Sequence, residues 1–200
     1  MDYNSLGFAL ANRWDPRHLE TVHYTLAPRP GERFLEVGCG RGHLVKRLAT
    51  DGVDVRGVDA NPHAIAQGVS DRLRCMTADS LDFPAESFDL VASFHTIEHV
   101  PDVDAALAEM ARVLRPGGRL LLVYPAEPIR GLYAVPASVI MHRHPFKARQ
   151  IHCHTVRPRS LRGRLPPLGL REVGSRFRWL STPQFETVAR KTCTTLRDHE

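Results

Sequence analysis

Short apolar runs alternate along this chain with segments of helical periodicity, and this alternation restricts the folds that the chain can adopt. Apolar runs of strand type occupy residues 33–37, 53–58, 73–77, 88–94 and 119–124. Segments with helical spacing of apolar residues lie at 44–48, 62–69 and 103–114. This order is typical of a parallel sheet covered by helices on both faces, in which ligands bind beyond the carboxyl ends of the strands.

The two ends of the chain add different elements. The N-terminal part predicts helices at 6–12 and 16–26, and the C-terminal part predicts a helix at 158–165. Two further strands, at 170–180 and 184–189, are joined by a connection too short for a crossover helix, so they must pair antiparallel. We therefore predict an α/β, Rossmann-like fold with a seven-stranded, mostly parallel sheet, helices on both faces and a C-terminal antiparallel hairpin.

Composition favours a protein of the reducing cytoplasm. No apolar run approaches the roughly 18 residues that span a bilayer, and the first residues lack the basic and apolar regions of a signal peptide. The four cysteines stand far apart, which excludes a CxxC pair and a dense disulfide framework.

Basic residues concentrate in the C-terminal part of the chain. Residues 1–125 hold 13 Lys and Arg against 17 Asp and Glu, whereas residues 126–200 hold 14 against 5. This asymmetry predicts an anionic partner, and peripheral contact with an anionic membrane surface is one form of it. The alternative is a composition bias, because 24 of the 27 cations are arginine.

A glycine-rich stretch, Glu36-Val37-Gly38-Cys39-Gly40-Arg41-Gly42, leads from the first strand into a helix. Glycines at such a junction let the backbone turn sharply and let a ligand approach the amides at the helix N-terminus. A dinucleotide site would need its third glycine at the position of His43, and the acid Glu36 would repel a pyrophosphate. The loop therefore predicts a ligand with a cationic end.

Two further acids follow the next two strands. Asp59 stands 21 residues after Gly38, a separation at which a carboxylate reaches ribose hydroxyls in this topology. Asp79 follows the third strand and is placed to accept a hydrogen bond from an exocyclic amine. Each acid alone is explained equally well as a helix cap or turn residue. Together with Glu36 they predict a ligand that joins an ammonium group to a nucleoside.

These motifs resemble those of the class I S-adenosylmethionine-dependent methyltransferases. The likeness rests on the glycine loop, on Gly57-Val58-Asp59, on Ala78-Asp79, on Phe88-Asp89-Leu90-Val91 with Ile97-Glu98-His99-Val100, and on Leu114-Arg115-Pro116-Gly117-Gly118. It is strong over residues 33–124, and the nearest branch is the small-molecule one that includes the ubiquinone and menaquinone biosynthesis enzymes. The resemblance implies S-adenosylmethionine as cofactor, S-adenosylhomocysteine as product, and methyl transfer to an O, N or C nucleophile.

The resemblance also implies a set of cofactor-binding residues. Glu36 and Gly38 would contact the amino-acid end of the cofactor, Asp59 the ribose, Asp79 and Ser80 the adenine, and Ser93 the ammonium through its backbone carbonyl. Cys39, Gly40, Gly42 and Ala60 complete the predicted set.

Two histidines follow the fourth strand, near the expected position of the methyl group. A neutral imidazole there can take a proton from a hydroxyl or amine, so His95 and His99 are the candidate catalytic residues, with His95 the better base. The alternative for His99 is that it packs against the cofactor loop.

Residues 95–99 also match the H-x-x-E-H string of inverted zinc peptidases. They follow a buried strand, however, in a sheet that the glycine loop assigns to another cofactor. We predict no metal site.

The region after the fifth strand predicts a cover for the acceptor. Residues 129–140 are apolar and precede a basic run at 142–149, which favours a lid over an elongated, lipid-like acceptor with an anionic end. The alternative is a helix that packs on its own domain. The histidines at 142, 144, 152 and 154 favour pocket lining or solvent exposure over a zinc site.

The whole chain is therefore expected to form one methyltransferase domain. Its predicted parts are an N-terminal helical cap (1–30), a cofactor-binding core (31–124), a lid insertion (125–157), and a last helix with the C-terminal hairpin (158–191). A small-molecule acceptor is favoured over nucleic acid, because Ser93-Phe94-His95-Thr96 stands where adenine methyltransferases have Asn/Asp-Pro-Pro-aromatic and no cysteine follows a proline. The alternatives are an inactive cofactor-binding scaffold subunit and an RNA or protein methyltransferase.

Overall fold

The structure, a computed structural model, describes residues 14–126, 154–179 and 183–193. In chain order its elements are α1 (Arg17–Thr25), β1 (Arg33–Val37), α2 (His43–Thr50), β2 (Asp54–Asp59), α3 (Pro62–Ala66), β3 (Leu73–Cys75), β4 (Phe88–Phe94), α4 (Val103–Val113), β5 (Leu114–Pro125), α5 (Pro158–Arg164), a 3₁₀ turn (Pro166–Leu168), β6 (Leu170–Trp179) and β7 (Pro183–Lys191). The predicted helix at 6–12 and the predicted lid at 129–140 lie outside the described residues.

The strands form one seven-stranded sheet in the order β3-β2-β1-β4-β5-β7-β6. The first five strands in the chain run parallel, whereas β7 pairs antiparallel with both β5 and β6. The predicted Rossmann-like sheet with a C-terminal antiparallel hairpin is thus confirmed. Because β7 runs opposite to β5, it begins at the edge where the parallel strands end.

Two apolar cores, one on each face of the sheet, hold the helices in place. On one face α1 and α2 contribute Val22, Leu26, Leu44, Val45 and Leu48. On the other face α4 and α5 contribute Val103, Ala106, Leu107, Met110 and Leu161, among others. The predicted placement of helices on both faces is therefore confirmed, and the apolar spacing of each helix is explained by the face that it buries.

The start of β5 differs from the sequence prediction. The apolar run predicts a strand at 119–124, but the strand begins at Leu114, directly after α4. Leu114 pairs with Phe88, and the register with β4 shifts before the next pair, Leu90 with Arg119. Pairing with β4 therefore draws the Pro-Gly-Gly sequence into the strand as an irregularity rather than leaving it outside as a turn.

The basic C-terminal part uses several of its cations within the domain. Arg162 pairs with Glu172 at 3.0 Å and Arg164 with Asp104 at 3.3 Å. Arg176 and Arg178 both lie beside a buried carboxylate on β7, at 2.6 and 3.8 Å. In the described part of the chain no helix is both long enough and apolar enough to cross a membrane.

Asp89 connects three strands at the amino-terminal edge of the sheet, the edge opposite the one where Asp59 lies. It is 5% exposed, and its Oδ2 accepts a hydrogen bond from the Arg33 backbone N–H at 2.8 Å. The side chains of Arg33 and Arg115 pair with the same carboxylate. Asp89 thereby ties β1, β4 and β5 together at one point.

We predict that Asp89→Ala lowers the free energy of unfolding by about 2 kcal/mol, because a partly buried backbone donor and two cations lose their acceptor. Urea unfolding followed by circular dichroism measures this change. The exposed Asp82 provides the control, since Asp82→Ala should leave the urea midpoint within experimental scatter. A midpoint for Asp89→Ala equal to that of the wild type would show that Asp89 does not fasten this edge.

Candidate active site

The glycine loop joins β1 to α2 at the carboxyl edge of the sheet. Gly38, Gly40 and Gly42 all have positive φ (82°, 54° and 75°), which L side chains rarely adopt. A Cβ at Gly38 would collide with the Thr96 hydroxyl, and a Cβ at Gly42 would lie 2.5 Å from the Leu73 side chain. Glycine is therefore required at both positions by backbone conformation and by close packing.

Asp59, the last residue of β2, links the glycine loop to the loop after β2. Its Oδ2 accepts a hydrogen bond from the Gly40 N–H at 2.7 Å, and its Oδ1 accepts one from the Asn61 N–H at 2.8 Å. Burial raises the pKa of Asp59, and these two hydrogen bonds offset part of that rise. Each carboxylate oxygen keeps a further lone pair, so Asp59 can also accept hydrogen bonds from the hydroxyls of a ligand.

Glu36, on β1, is the buried acid of the site. It is 4% exposed, and its Oε2 has no hydrogen-bond partner among the described residues. Burial raises the pKa of Glu36 well above its ordinary value, and the neighbouring Asp59 carboxylate raises it further. A buried carboxylate is unfavourable unless a partner compensates its charge. A cationic group of a ligand would supply that partner.

The thiol in the glycine loop is not a nucleophile. Cys39 is 8% exposed, and its backbone N–H donates to the Val58 carbonyl at 2.9 Å. Burial raises the pKa of Cys39 well above its ordinary value, and the nearby acids Glu36 and Asp59 raise it further. Because only the thiolate reacts readily, Cys39 acts as a packing residue of the loop.

The other predicted cofactor residues lie along the same edge. Ala60, Asp79 and Ser80 are exposed in the loops that follow β2 and β3. Ser93 is buried near the end of β4, opposite Val37, and its Oγ has no partner among the described residues. The predicted cofactor-binding set therefore lies at or beyond the ends of β1 to β4, where the fold brings these strands side by side.

The two predicted catalytic histidines surround one buried carboxylate. His95 follows β4 with φ of +50°, and its backbone N–H donates to the Val123 carbonyl on β5 at 2.8 Å. Its Nδ1 lies 3.5 Å from Glu98 Oε1, and its Nε2 lies 3.2 Å from Gln184 Oε1. His99 Nε2 lies 3.9 Å from the same Glu98 oxygen.

Sequence reasoning missed two residues that contact this cluster from distant elements. His18 on α1 stacks on Phe94 with ring centroids 4.3 Å apart, and its ring lies 6.1 Å from that of His95. Burial, with a smaller contribution from His95, lowers the pKa of His18 to about 4, so His18 is neutral at pH 7. Gln184 on β7 is 1% exposed. Neither residue belongs to a local motif, so only the fold shows that they meet His95.

The structure does not favour a zinc peptidase. Residues 95–99 form a turn, whereas the peptidase string requires a helix. Within 14–126, 154–179 and 183–193, no group of three or more His, Cys, Asp or Glu side chains could hold a metal ion.

The second group of histidines in the sequence is described only at His154, whose Nε2 lies 3.1 Å from the Pro101 carbonyl oxygen. Positions 142, 144 and 152 lie outside the described residues.

Comparison with known families agrees with this site. A family described as "Methyltransferase domain" matches residues 35–122, the segment that carries the glycine loop, the strand-end acids and the two catalytic candidates. Residues 35–122 thus carry a methyltransferase domain similar to that of the class I S-adenosylmethionine-dependent methyltransferases, and S-adenosylmethionine is the cofactor of that class.

Among curated proteins the chain is similar to ubiquinone biosynthesis O-methyltransferases. The protein from Sinorhizobium fredii is 39% identical over 103 residues, which are 48% of this chain and 42% of that protein. The protein from Brucella anthropi is 32% identical over 159 residues, which are 74% of this chain and 64% of that protein. The matches thus span between 42% and 64% of the length of these relatives.

Among solved structures, an S-adenosylmethionine-dependent methyltransferase from Methanosarcina mazei has the same fold. It superposes with a TM-score of 0.69 at 22% sequence identity, and the match covers 90% of this chain and 99% of that chain.

The residues of the site fit S-adenosylmethionine. The unpartnered buried oxygen of Glu36 suits the ammonium group of the cofactor, whose positive charge compensates the carboxylate. Asp59 has lone pairs left for the ribose hydroxyls.

We predict that Glu36→Gln stabilises the protein at neutral and higher pH while it weakens cofactor binding. The folded state raises the pKa of Glu36, so its contribution to stability is present below the unfolded pKa, about 4.3, and is lost as the pH rises through the folded value. The amide of the variant cannot ionise, so the variant should exceed the wild type in free energy of unfolding at pH 8, with a difference that shrinks toward pH 4. Urea unfolding across this pH range measures the difference.

The same variant should raise the Kd for S-adenosylmethionine roughly tenfold to a hundredfold, because a charge-assisted contact is lost. Isothermal titration calorimetry measures it. Glu32→Gln is the control, since Glu32 pairs with Arg119 at the other end of β1 and should leave the Kd unchanged. A Glu36→Gln protein with wild-type affinity and wild-type stability at pH 8 would show that Glu36 carries no charge for the cofactor.

Proposed function

We propose that this chain transfers the methyl group of S-adenosylmethionine to a hydroxyl oxygen of a small aromatic or lipid-like molecule. The position of His95 supports this most strongly, because it places a proton acceptor next to the cofactor loop. Thr96, the following residue, packs directly against Gly38, and its Oγ1 lies 3.3 Å from the Val37 carbonyl. The ubiquinone biosynthesis enzymes similar to this chain are named O-methyltransferases, which favours oxygen over nitrogen or carbon.

The surroundings of His95 suit a planar acceptor. The neutral His18 ring stacks on the buried Phe94 ring and lies 6.1 Å from the His95 imidazole, so a flat ring stands near the imidazole. An aromatic acceptor can pack against such rings while its hydroxyl reaches the His95 nitrogen. Because His18 is neutral at pH 7, it adds no positive charge that would oppose a proton on His95.

When bound, S-adenosylmethionine supplies a methyl group on a positively charged sulfur, and the acceptor oxygen bonds to this methyl as the carbon–sulfur bond breaks with its electron pair on sulfur. Glu36 would hold the ammonium group of the cofactor and Asp59 its ribose hydroxyls, which would fix the position of the sulfur between them relative to the acceptor. His95 takes the hydroxyl proton as the oxygen reacts and afterwards releases it to solvent. Positioning of the two substrates in a dry site provides most of the acceleration, and proton removal adds to it.

The full chain should release S-adenosylhomocysteine when it is incubated with S-adenosylmethionine and a panel of catechols, other phenols, amines and lipid extracts. We expect the product with at least one phenolic acceptor, with the new methyl group on oxygen by mass spectrometry and NMR. A product methylated on nitrogen or carbon would reject the hydroxyl acceptor. Cofactor binding without release across the panel would favour the inactive scaffold, and release only with RNA or protein would favour those acceptors.

On the phenol that the panel identifies, His95→Ala should lower kcat about a hundredfold and change the Kd for S-adenosylmethionine less than twofold, as expected when a general base is removed. Steady-state kinetics and calorimetry measure the two quantities. If the loss falls on the acceptor KM instead, His95 lines the pocket and the base assignment is wrong.

A further inference from the structure

The Glu98 carboxylate has no role in the cofactor site or in the mechanism described above. It is 1% exposed, and neither of its oxygens makes a hydrogen bond within the described residues. Its Oε1 lies 3.5 Å from His95 Nδ1 and 3.9 Å from His99 Nε2. A buried carboxylate is strongly unfavourable without a compensating group. Its position between two imidazoles therefore calls for a functional explanation.

The electrostatics of Glu98 favour the ionised form. Burial alone would raise the pKa of Glu98, but the contacts with His95 and His99 outweigh burial, and the net shift is downward. Glu98 is therefore a carboxylate at neutral pH. Among the described residues, the groups that approach this cluster from other elements carry no negative charge: the His18 ring lies 6.1 Å from that of His95, Gln184 is neutral, and the His154 backbone N–H donates to the Glu98 carbonyl at 3.2 Å.

The surroundings also fix the orientation of the His95 ring. The His95 backbone has a positive φ that non-glycine residues rarely adopt, and its N–H bond to Val123 anchors it to β5. One ring nitrogen then faces Glu98 and the other faces Gln184. This arrangement gives the two nitrogens different partners, which decides where the hydrogen of a neutral imidazole lies.

We infer that Glu98 is a positioning residue for His95: its carboxylate attracts the hydrogen to Nδ1 and so leaves Nε2 free to take the proton of the acceptor hydroxyl. This inference rests on the proposed function, in which His95 is the base. The Glu98 oxygen and Nδ1 stand at ion-pair distance, and such contacts shorten when a substrate is bound. When Nε2 takes the proton, both ring nitrogens carry hydrogen, and the positive ring lies against the Glu98 carboxylate.

The Gln184 side-chain amide can form a hydrogen bond with His95 Nε2 whether or not that nitrogen carries a hydrogen. Its Oε1 lies 3.2 Å from His95 Nε2, and its own Nε2 is buried without a partner among the described residues. Rotation of the amide exchanges its oxygen and nitrogen, so Gln184 can donate to a bare Nε2 or accept from a protonated one. An acceptor hydroxyl that gives its proton to Nε2 takes the place of this amide.

The tautomer of His95 tests the inference without any acceptor. In two-bond ¹H–¹⁵N spectra of the full chain with S-adenosylhomocysteine at pH 8, we expect neutral His95 to carry its hydrogen on Nδ1. The spectrum of His95→Ala identifies its signals among those of the 11 histidines. In Glu98→Gln the hydrogen should move in large part to Nε2. A wild-type ring with its hydrogen on Nε2, or the same tautomer in wild type and variant, would overturn the inference.

Kinetics on the phenol identified for the wild type provide the second measurement. Glu98→Gln should lower kcat at pH 7 by about tenfold to a hundredfold, with the acceptor KM and the cofactor Kd changed less than threefold. Glu98→Asp, which keeps the charge, should recover part of this loss. Glu172→Gln is the matched control, because it removes a carboxylate on β6 that pairs with Arg162.

The two failures are distinguishable. A kcat for Glu98→Gln within twofold of wild type would reject the positioning role while methyl transfer stands. A wild-type chain that releases no S-adenosylhomocysteine with any phenol would reject the proposed function, whereas the tautomer of His95 would still report whether Glu98 orients the ring.

Discussion

The geometry of the site depends on the hydrogen bonds that the Asp59 carboxylate accepts from two backbone N–H groups. These groups belong to Gly40 and Asn61, and so Asp59 joins the loop after β1 to the loop after β2. The loop after β1 also packs closely on two other elements, because the glycines at 38 and 42 leave room for the side chains of Thr96, after β4, and Leu73, on β3. A ligand that bridges the two loops therefore meets a rigid frame, which reduces the entropy lost on binding.

The Asp59 carboxylate also makes ionisation of the neighbouring Glu36 less favourable. Asp59 lies close enough to raise the pKa of Glu36, which is itself buried without a partner for Oε2. The Asp59 carboxylate and burial together oppose ionisation of Glu36, and a cationic ligand beside Glu36 would favour its carboxylate form. The ammonium group of S-adenosylmethionine is such a cation, and its contact with Glu36 would favour the carboxylate form and contribute to cofactor binding.

A second buried carboxylate, Glu98, is compensated from within the chain by the imidazoles of His95 and His99. The two acids thus differ in what surrounds them. Glu36 has no cationic partner among the described residues, so a positive group of the cofactor would have to supply one. Glu98 already lies beside two imidazoles, and in our proposal it determines which nitrogen of His95 carries the hydrogen. The pKa is raised for Glu36 and lowered for Glu98, although both are buried glutamates next to strand ends. This difference is why we assign cofactor binding to Glu36 and positioning of His95 to Glu98.

Much of this site could be predicted from the sequence because its signals are local. The glycine loop, Asp59 and His95 follow single strands, and strand ends are read directly from apolar runs. Gln184 and His18 could not be predicted, since they approach His95 only because β7 runs antiparallel and α1 packs on that face of the sheet. The start of β5 was predicted at residue 119 rather than at Leu114, because pairing with β4 draws the Pro-Gly-Gly sequence into the strand against its local preference.

The most direct test of the central claim, that Glu36 exchanges a proton for the cofactor's ammonium, is the proton balance of binding. Calorimetric titration of the protein with S-adenosylmethionine at pH 6, in buffers of different ionisation enthalpy, measures the protons released. Because Glu36 has a raised pKa and the ammonium favours its carboxylate, the wild type should release a measurable fraction of a proton, and Glu36→Gln should release clearly less. Equal proton release by the two proteins, or uptake by the wild type, would contradict the claim.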